Sequence, residues 1–168
     1  MDVAWQKTFR ERLRRFQERR APHPGEVAVS IKVRVTSGCF HREHSPRAYE
    51  LIDKRLGKSP ASATAFTLEE HESGPELLVY LAVATAGITL AKSVIDLITA
   101  IIRARSEGIK KGDTPSDPLE LIVRRIDNER EFREEVVLRV GRNDAIDEKV
   151  IAKRLNEALQ RLLQGLRR

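Results

Sequence analysis

The sequence predicts an α+β fold. It is a two-layer sandwich in which a mixed sheet of about four strands packs on a long central helix and a C-terminal helix, with an amphipathic helix at the N-terminus. Three observations predict it. Residues 27–36 alternate apolar and polar side chains, the period of a strand with one buried face. Residues 77–102 form the longest apolar stretch, broken only by Lys92 and Asp96, and part of it has helical periodicity. Residues 119–140 hold two Val- and Ile-rich runs around a short polar break, followed by a helical stripe to the C-terminus.

Residues 2–20 predict a helix whose apolar stripe is Trp5, Phe9, Leu13 and Phe16, spaced four, four and three. Ala21-Pro22-His23-Pro24-Gly25 stops it, so residues 1–24 read as a basic helix with a Pro-rich linker and 25–168 as the α+β domain. In the first strand Val27, Val29, Ile31, Val33 and Val35 face the core, and Ala28, Ser30, Lys32, Arg34 and Thr36 face water. Ser45 followed by Pro46 predicts an N-cap and first helical residue, with the helix ending at Gly57. A second strand is expected over 62–70. Residues 119–126 and 132–140 predict a hairpin around Asp127–Arg130. Asn143–Asp147 then precedes a helix with the stripe Val150, Ile151, Leu155, Ala158, Leu159, Leu162 and Leu166.

The apolar stretch poses a choice between a membrane span and a core helix. Its uncharged part, Leu77–Ala91, is shorter than the roughly 20 residues a bilayer needs. Thr85, Thr89, Lys92, Asp96, Thr99 and Arg103 fall at alternating spacings of four and three, which lines one polar stripe along a helix. That pattern favours a core helix running from Leu77 to about Ser106. The turns from Leu77 to Ile88 lack the polar edge, and Leu77, Leu78 and Leu81 read as a partner-binding surface.

Net charge is +6, concentrated at the two ends. Residues 1–20 carry seven basic and three acidic groups, and residues 153–168 carry five and one. Such ends suit acidic partners, either nucleic acid or an anionic membrane surface on which the chain is peripheral, although solubility alone is the commoner explanation. The single cysteine, Cys39, excludes an internal disulfide and fits a reducing, cytoplasmic setting. Lys7, Arg10, Arg12, Arg14 and Arg15 interrupt the N-terminal stretch and argue against a secretion signal.

Metal-ligand residue types cluster in the loop Cys39-Phe40-His41-Arg42-Glu43-His44. If the first two strands run parallel, His71 after the second approaches Cys39, His41 and His44, and such a set suits zinc. The bland alternative is a solvated loop, since the spacing matches no established zinc pattern. Gly57-Lys58-Ser59 is a decoy for a phosphate loop, because Ile52 stands where a glycine is required.

The strand Val29–Val35, the approach Glu72-Ser73-Gly74-Pro75-Glu76-Leu77, the apolar stretch ending in Arg103 and Arg105, and the strand pair around Asp127–Arg130 together carry a resemblance. In that order the elements resemble a small bacterial family, the effector-associated constant components, which accompany effector proteins in conflict and signalling systems. The resemblance covers about 120 residues in pattern. It brings no catalytic residues to carry over, and the cofactor expected for the chain is none, with zinc as the alternative. It also implies a non-enzymatic adaptor role toward a protein partner such as an effector protease or NTPase.

Function therefore stands at three expectations. The first is an interaction module of a bacterial defence system that binds through Trp5, Phe9, Leu13, Phe16, Leu77, Leu78 and Leu81, alone or as a homo-oligomer. The second is a membrane-associated protein held by residues 77–102 or by the basic helix. The third is a metal-dependent enzyme using Cys39, His41, His44 and His71, with zinc as the candidate ion.

Overall fold

The computed structural model describes residues 3–19, 25–57, 66–70, 76–84, 90–127, 131–141 and 143–163. Its elements are α1 (Val3–Arg19), β1 (Glu26–Val35), α2 (Pro46–Gly57), β2 (Phe66–Glu70), β3 (Leu77–Ala84), α3 (Lys92–Lys110), β4 (Leu119–Asp127), β5 (Glu131–Val140) and α4 (Glu148–Leu163). The strands form one sheet in the order β2-β3-β1-β4-β5, and every pairing is antiparallel. The α+β class holds. The sheet has five strands instead of four and is antiparallel instead of mixed.

The fifth strand comes from the apolar stretch. Leu77–Ala84 is not the start of a helix; it is β3, paired with β1 on one side and β2 on the other. Leu77, Val79, Leu81 and Val83 join the main core, whereas Leu78, Tyr80 and Ala82 pack beneath α1. With apolar residues turned to both covered faces, Leu77–Val83 reads as an unbroken apolar run. The helix itself starts at Lys92, after residues 85–89, which lie outside the described set. No described helix is long and apolar enough to cross a membrane, which leaves the alternative of a helical span without support among the described residues.

The polar stripe survives in part. Lys92, Asp96 and Arg103 sit on the solvent side of α3, while Thr85 and Thr89 lie outside the described residues. Thr99 turns inward and is buried. Its hydroxyl donates to the Ile95 carbonyl at 2.8 Å, so the helix satisfies it internally.

Helices α2, α3 and α4 cover one face of the sheet. Val29, Ile31 and Val33 of β1 and Leu119, Leu121 and Val123 of β4 meet Tyr49, Ile52, Ile98, Ile101, Leu155 and Leu159 there. In the stripe of α4, Val150 is exposed and Leu166 lies outside the described residues. Gly108 permits the close crossing of α3 on α2, since a Cβ there would fall on Asp113 Oδ2 and 2.8 Å from the Ala48 nitrogen.

The opposite face of the sheet was expected to be wet and is partly covered. α1 lies on it, burying Phe9, Leu13 and Phe16 against Ala28, Leu78 and Tyr80. Three large apolar side chains contribute about 1.5–3 kcal/mol each when withdrawn from water, enough to hold a helix that is otherwise charged. Ser30 and Lys32 are buried on this face too, Lys32 through an ion pair with Glu76 at 2.9 Å. Farther along, within the pairing of β1 with β4, Glu120 lies between Arg34 of β1 at 3.0 Å and Arg139 of β5 at 2.7 Å.

Candidate metal centre

The loop between β1 and α2 is fastened to the segment between α3 and β4. Thr36 N donates to Pro118 O and Asp117 N donates to Ser37 O, both at 3.0 Å, and Thr114 N donates to His44 O at the same distance. Gly38 makes the closest approach, with φ +87; a Cβ there would collide with the Pro115 carbonyl and lie 3.0 Å from Ser116 Cα. Only glycine fits both requirements.

Phe40 then anchors the loop in the core. Its ring packs on Tyr49 at 5.3 Å, and its carbonyl accepts the Tyr49 hydroxyl at 3.1 Å. Burial raises the Tyr49 hydroxyl pKa, with the Glu70 charge adding to the effect, so the group remains a donor at ordinary pH. With Phe40 fixed inward, the chain turns. The His41 carbonyl accepts from Ser45 N at 2.8 Å and from His44 N at 3.2 Å, which brings the two imidazoles to 4.5 Å between ring centroids.

The consequence is a compact donor set. One ligand atom each from Cys39, His41 and His44 lies within 4.8 Å of the others. A tetrahedral zinc with bonds of about 2.0–2.3 Å sets its donors about 3.3–3.8 Å apart, so the donors would have to draw together by about 1 Å to hold one. Cys39 and His41 are half-buried and His44 is exposed, which leaves an entry path from solvent. One thiolate and two imidazoles form a borderline-soft set suited to zinc, and three donors leave a fourth position open.

His41 carries a further constraint. Its Nδ1 accepts from Glu43 N at 3.1 Å, which places the proton of the neutral ring on Nε2. Ligation through Nδ1 therefore exchanges the Glu43 contact for the ion, and ligation through Nε2 requires the other tautomer.

Arg42, between the two histidines, is held by two carboxylates. Its guanidinium makes a two-pronged pair with Asp53 at 2.7 and 2.8 Å, reaches Glu70 at 3.1 Å and lies 5.0 Å from the Tyr49 ring centre. Asp53 and then Glu70 hold the Arg42 pKa above its ordinary value. The Arg42 contact in turn keeps the Asp53 carboxyl below the carboxylate range. With its charge matched by two carboxylates, Arg42 offers little opposition to a cation at the cluster.

The helix start differs from expectation. Ser45 is buried, but its hydroxyl donates to the Cys39 carbonyl at 3.3 Å instead of capping α2. The capping acceptor is Asp113, whose carboxylate receives Arg47 N at 3.0 Å and Ala48 N at 2.9 Å. Local sequence gives no sign of Asp113, because it caps a distant helix. Gly38 carries only the ordinary turn signal of a glycine after serine.

The other expected residues are placed as follows. His71 and its approach to the cluster lie outside the described residues, as does the side chain of Trp5. Phe9, Leu13, Phe16, Leu77, Leu78 and Leu81 are buried within the chain itself, so a partner would reach them only after α1 or the core opened. β1 and β2 do point the same way, because both are antiparallel to β3, but β3 separates them. No protein-family model matches the chain, and no curated protein and no solved structure matches it either.

Proposed function

We propose that the chain is a non-enzymatic interaction module whose contact point is a zinc-class ion held on the β1–α2 loop. The observation that carries this reading is the convergence of Cys39, His41 and His44 donors within 4.8 Å at the surface. Three protein donors leave one tetrahedral position for water or for a side chain brought by another molecule. A loop braced by the α3–β4 segment would present that position in a fixed direction. The adaptor role implied by the family resemblance agrees with this chemistry, and the surface it would use is the loop instead of the buried leucines.

Metal content and affinity test the reading. The full chain, purified without chelator, is expected to hold about one equivalent of zinc by elemental analysis, and C39S, H41A and H44A each to lose it. The stripped protein should also bind zinc with release of protons, since the thiol must ionise. Less than about a tenth of an equivalent, with no binding on titration of zinc into the stripped protein, would overturn it.

A further inference from the structure

The solvent side of α1 presents charge that the fold itself does not use. The rotation of the helix is fixed from below. Phe9 lies 6.0 Å from the Tyr80 ring centre and 5.8 Å from the Arg124 guanidinium, and Arg12 donates to the Glu70 carbonyl at 3.2 Å. With Phe9, Leu13 and Phe16 turned inward, Lys7, Arg10, Arg14 and Arg15 are exposed along about 12 Å of helix axis. Arg14 shares its charge with Glu18 at 4.0 Å, and among the described residues Lys7, Arg10 and Arg15 make no ion pair. Val3–Arg19 contains six basic and two acidic residues, a net charge of +4.

Such a surface selects a polyanion, and two classes compete for it. An interfacial helix binds a membrane by burying its apolar face at the headgroup boundary. Here the described part of that face, Phe9, Leu13 and Phe16, is already buried against Ala28, Leu78 and Tyr80. A nucleic-acid backbone needs only cations held at fixed positions, which is what the docked helix supplies. Base stacking has no described platform, because Phe9, Phe16, Phe40, Tyr49 and Tyr80 are all buried. We infer that the outward face of α1 binds the phosphate backbone of double-stranded nucleic acid without regard to sequence, through Lys7, Arg10, Arg14 and Arg15.

Fluorescence anisotropy with a labelled duplex of about 20 bp, at salt concentrations between about 50 and 200 mM, tests this. The full chain should bind duplexes of unrelated sequence equally. The variant K7Q/R10Q/R15Q, altered only at exposed positions, should bind at least about tenfold more weakly at low salt, with its log–log salt slope reduced by about 2.7. The charge-preserving variant K7R/R10K/R15K should retain binding. Vesicles of phosphatidylserine and phosphatidylcholine, assayed in parallel, should not compete. The inference is overturned if the wild-type chain ignores the duplex at low salt, if the glutamine variant binds as well as wild type, or if vesicles bind in preference to duplex.

Discussion

Asp113 caps a helix at Ala48, 65 residues before it in the chain: Oδ2 accepts the Ala48 amide at 2.9 Å while Oδ1 accepts that of Arg47 at 3.0 Å. The first amides of a helix have no partner within it, and an anion there also meets the positive end of the helix dipole. One side chain thus joins the end of α3 to the start of α2, directly after the Cys/His loop. Removing it in D113A should cost about 1–2 kcal/mol in urea denaturation, and D113N, which keeps an acceptor without the charge, should recover about half. A loss below about 0.3 kcal/mol would mean that water replaces the cap at no cost.

Gly108 gives a test in which the sign is informative. Replacing a glycine inside a helix with alanine ordinarily stabilises by up to about 1 kcal/mol. At this position the added Cβ meets Asp113 Oδ2 and the Ala48 backbone, neither of which can move without losing the cap. G108A should therefore destabilise by about 1–3 kcal/mol. Its effect should also be less than additive with that of D113A, because both act on the same contact. A stabilised G108A would show that α2 and α3 separate freely.

These two contacts mark the boundary of what the sequence made legible. β1 was readable because Val27–Val35 alternate, and α4 because Ile151, Leu155, Leu159 and Leu162 recur at helical spacing. Pattern reading works where one face of an element keeps polar side chains, as β1 does with Ser30 and Lys32 although both are buried. β3 has none, since α1 covers the side that would have alternated, and Leu77–Ala84 therefore looked like the continuation of Lys92–Ile102. The donor cluster was legible because Cys39, His41 and His44 lie within six residues and a single turn gathers them. The Asp113 cap and the carboxylates that hold Arg42 were not, because distant elements supply them.

The ion pair of Lys32 with Glu76 at 2.9 Å is buried on both sides, with side-chain exposures of 3% and 5%. Desolvation offsets most of the attraction in such a pair, so its net contribution is small while the cost of breaking it is large. K32M, which leaves Glu76 charged without its ammonium, should cost about 3–5 kcal/mol. The double variant K32M/E76L should recover much of that loss. A double-mutant cycle by chemical denaturation measures the coupling, and a value under about 0.5 kcal/mol would sink the argument.

Glu120 sets the direction of one pH effect. Burial pushes its carboxyl pKa up, but hydrogen bonds from Arg139 and Arg34 outweigh that and hold it below the ordinary glutamate value. A carboxyl whose pKa is lower in the folded chain than in the unfolded one binds its proton first when unfolded. Its stabilisation is therefore complete above the unfolded value of about 4.3, and it is lost as pH falls through the depressed folded value. Both arginines are partly exposed, at 41% and 65%, so solvent screens the pair and the expected size is modest. E120Q should be less stable than wild type near neutral pH by about 1 kcal/mol, and the two should converge as pH falls through the depressed folded value. Thermal unfolding followed from pH 7 to about pH 3 reads this out, and parallel curves would show that Glu120 carries none of the acid sensitivity.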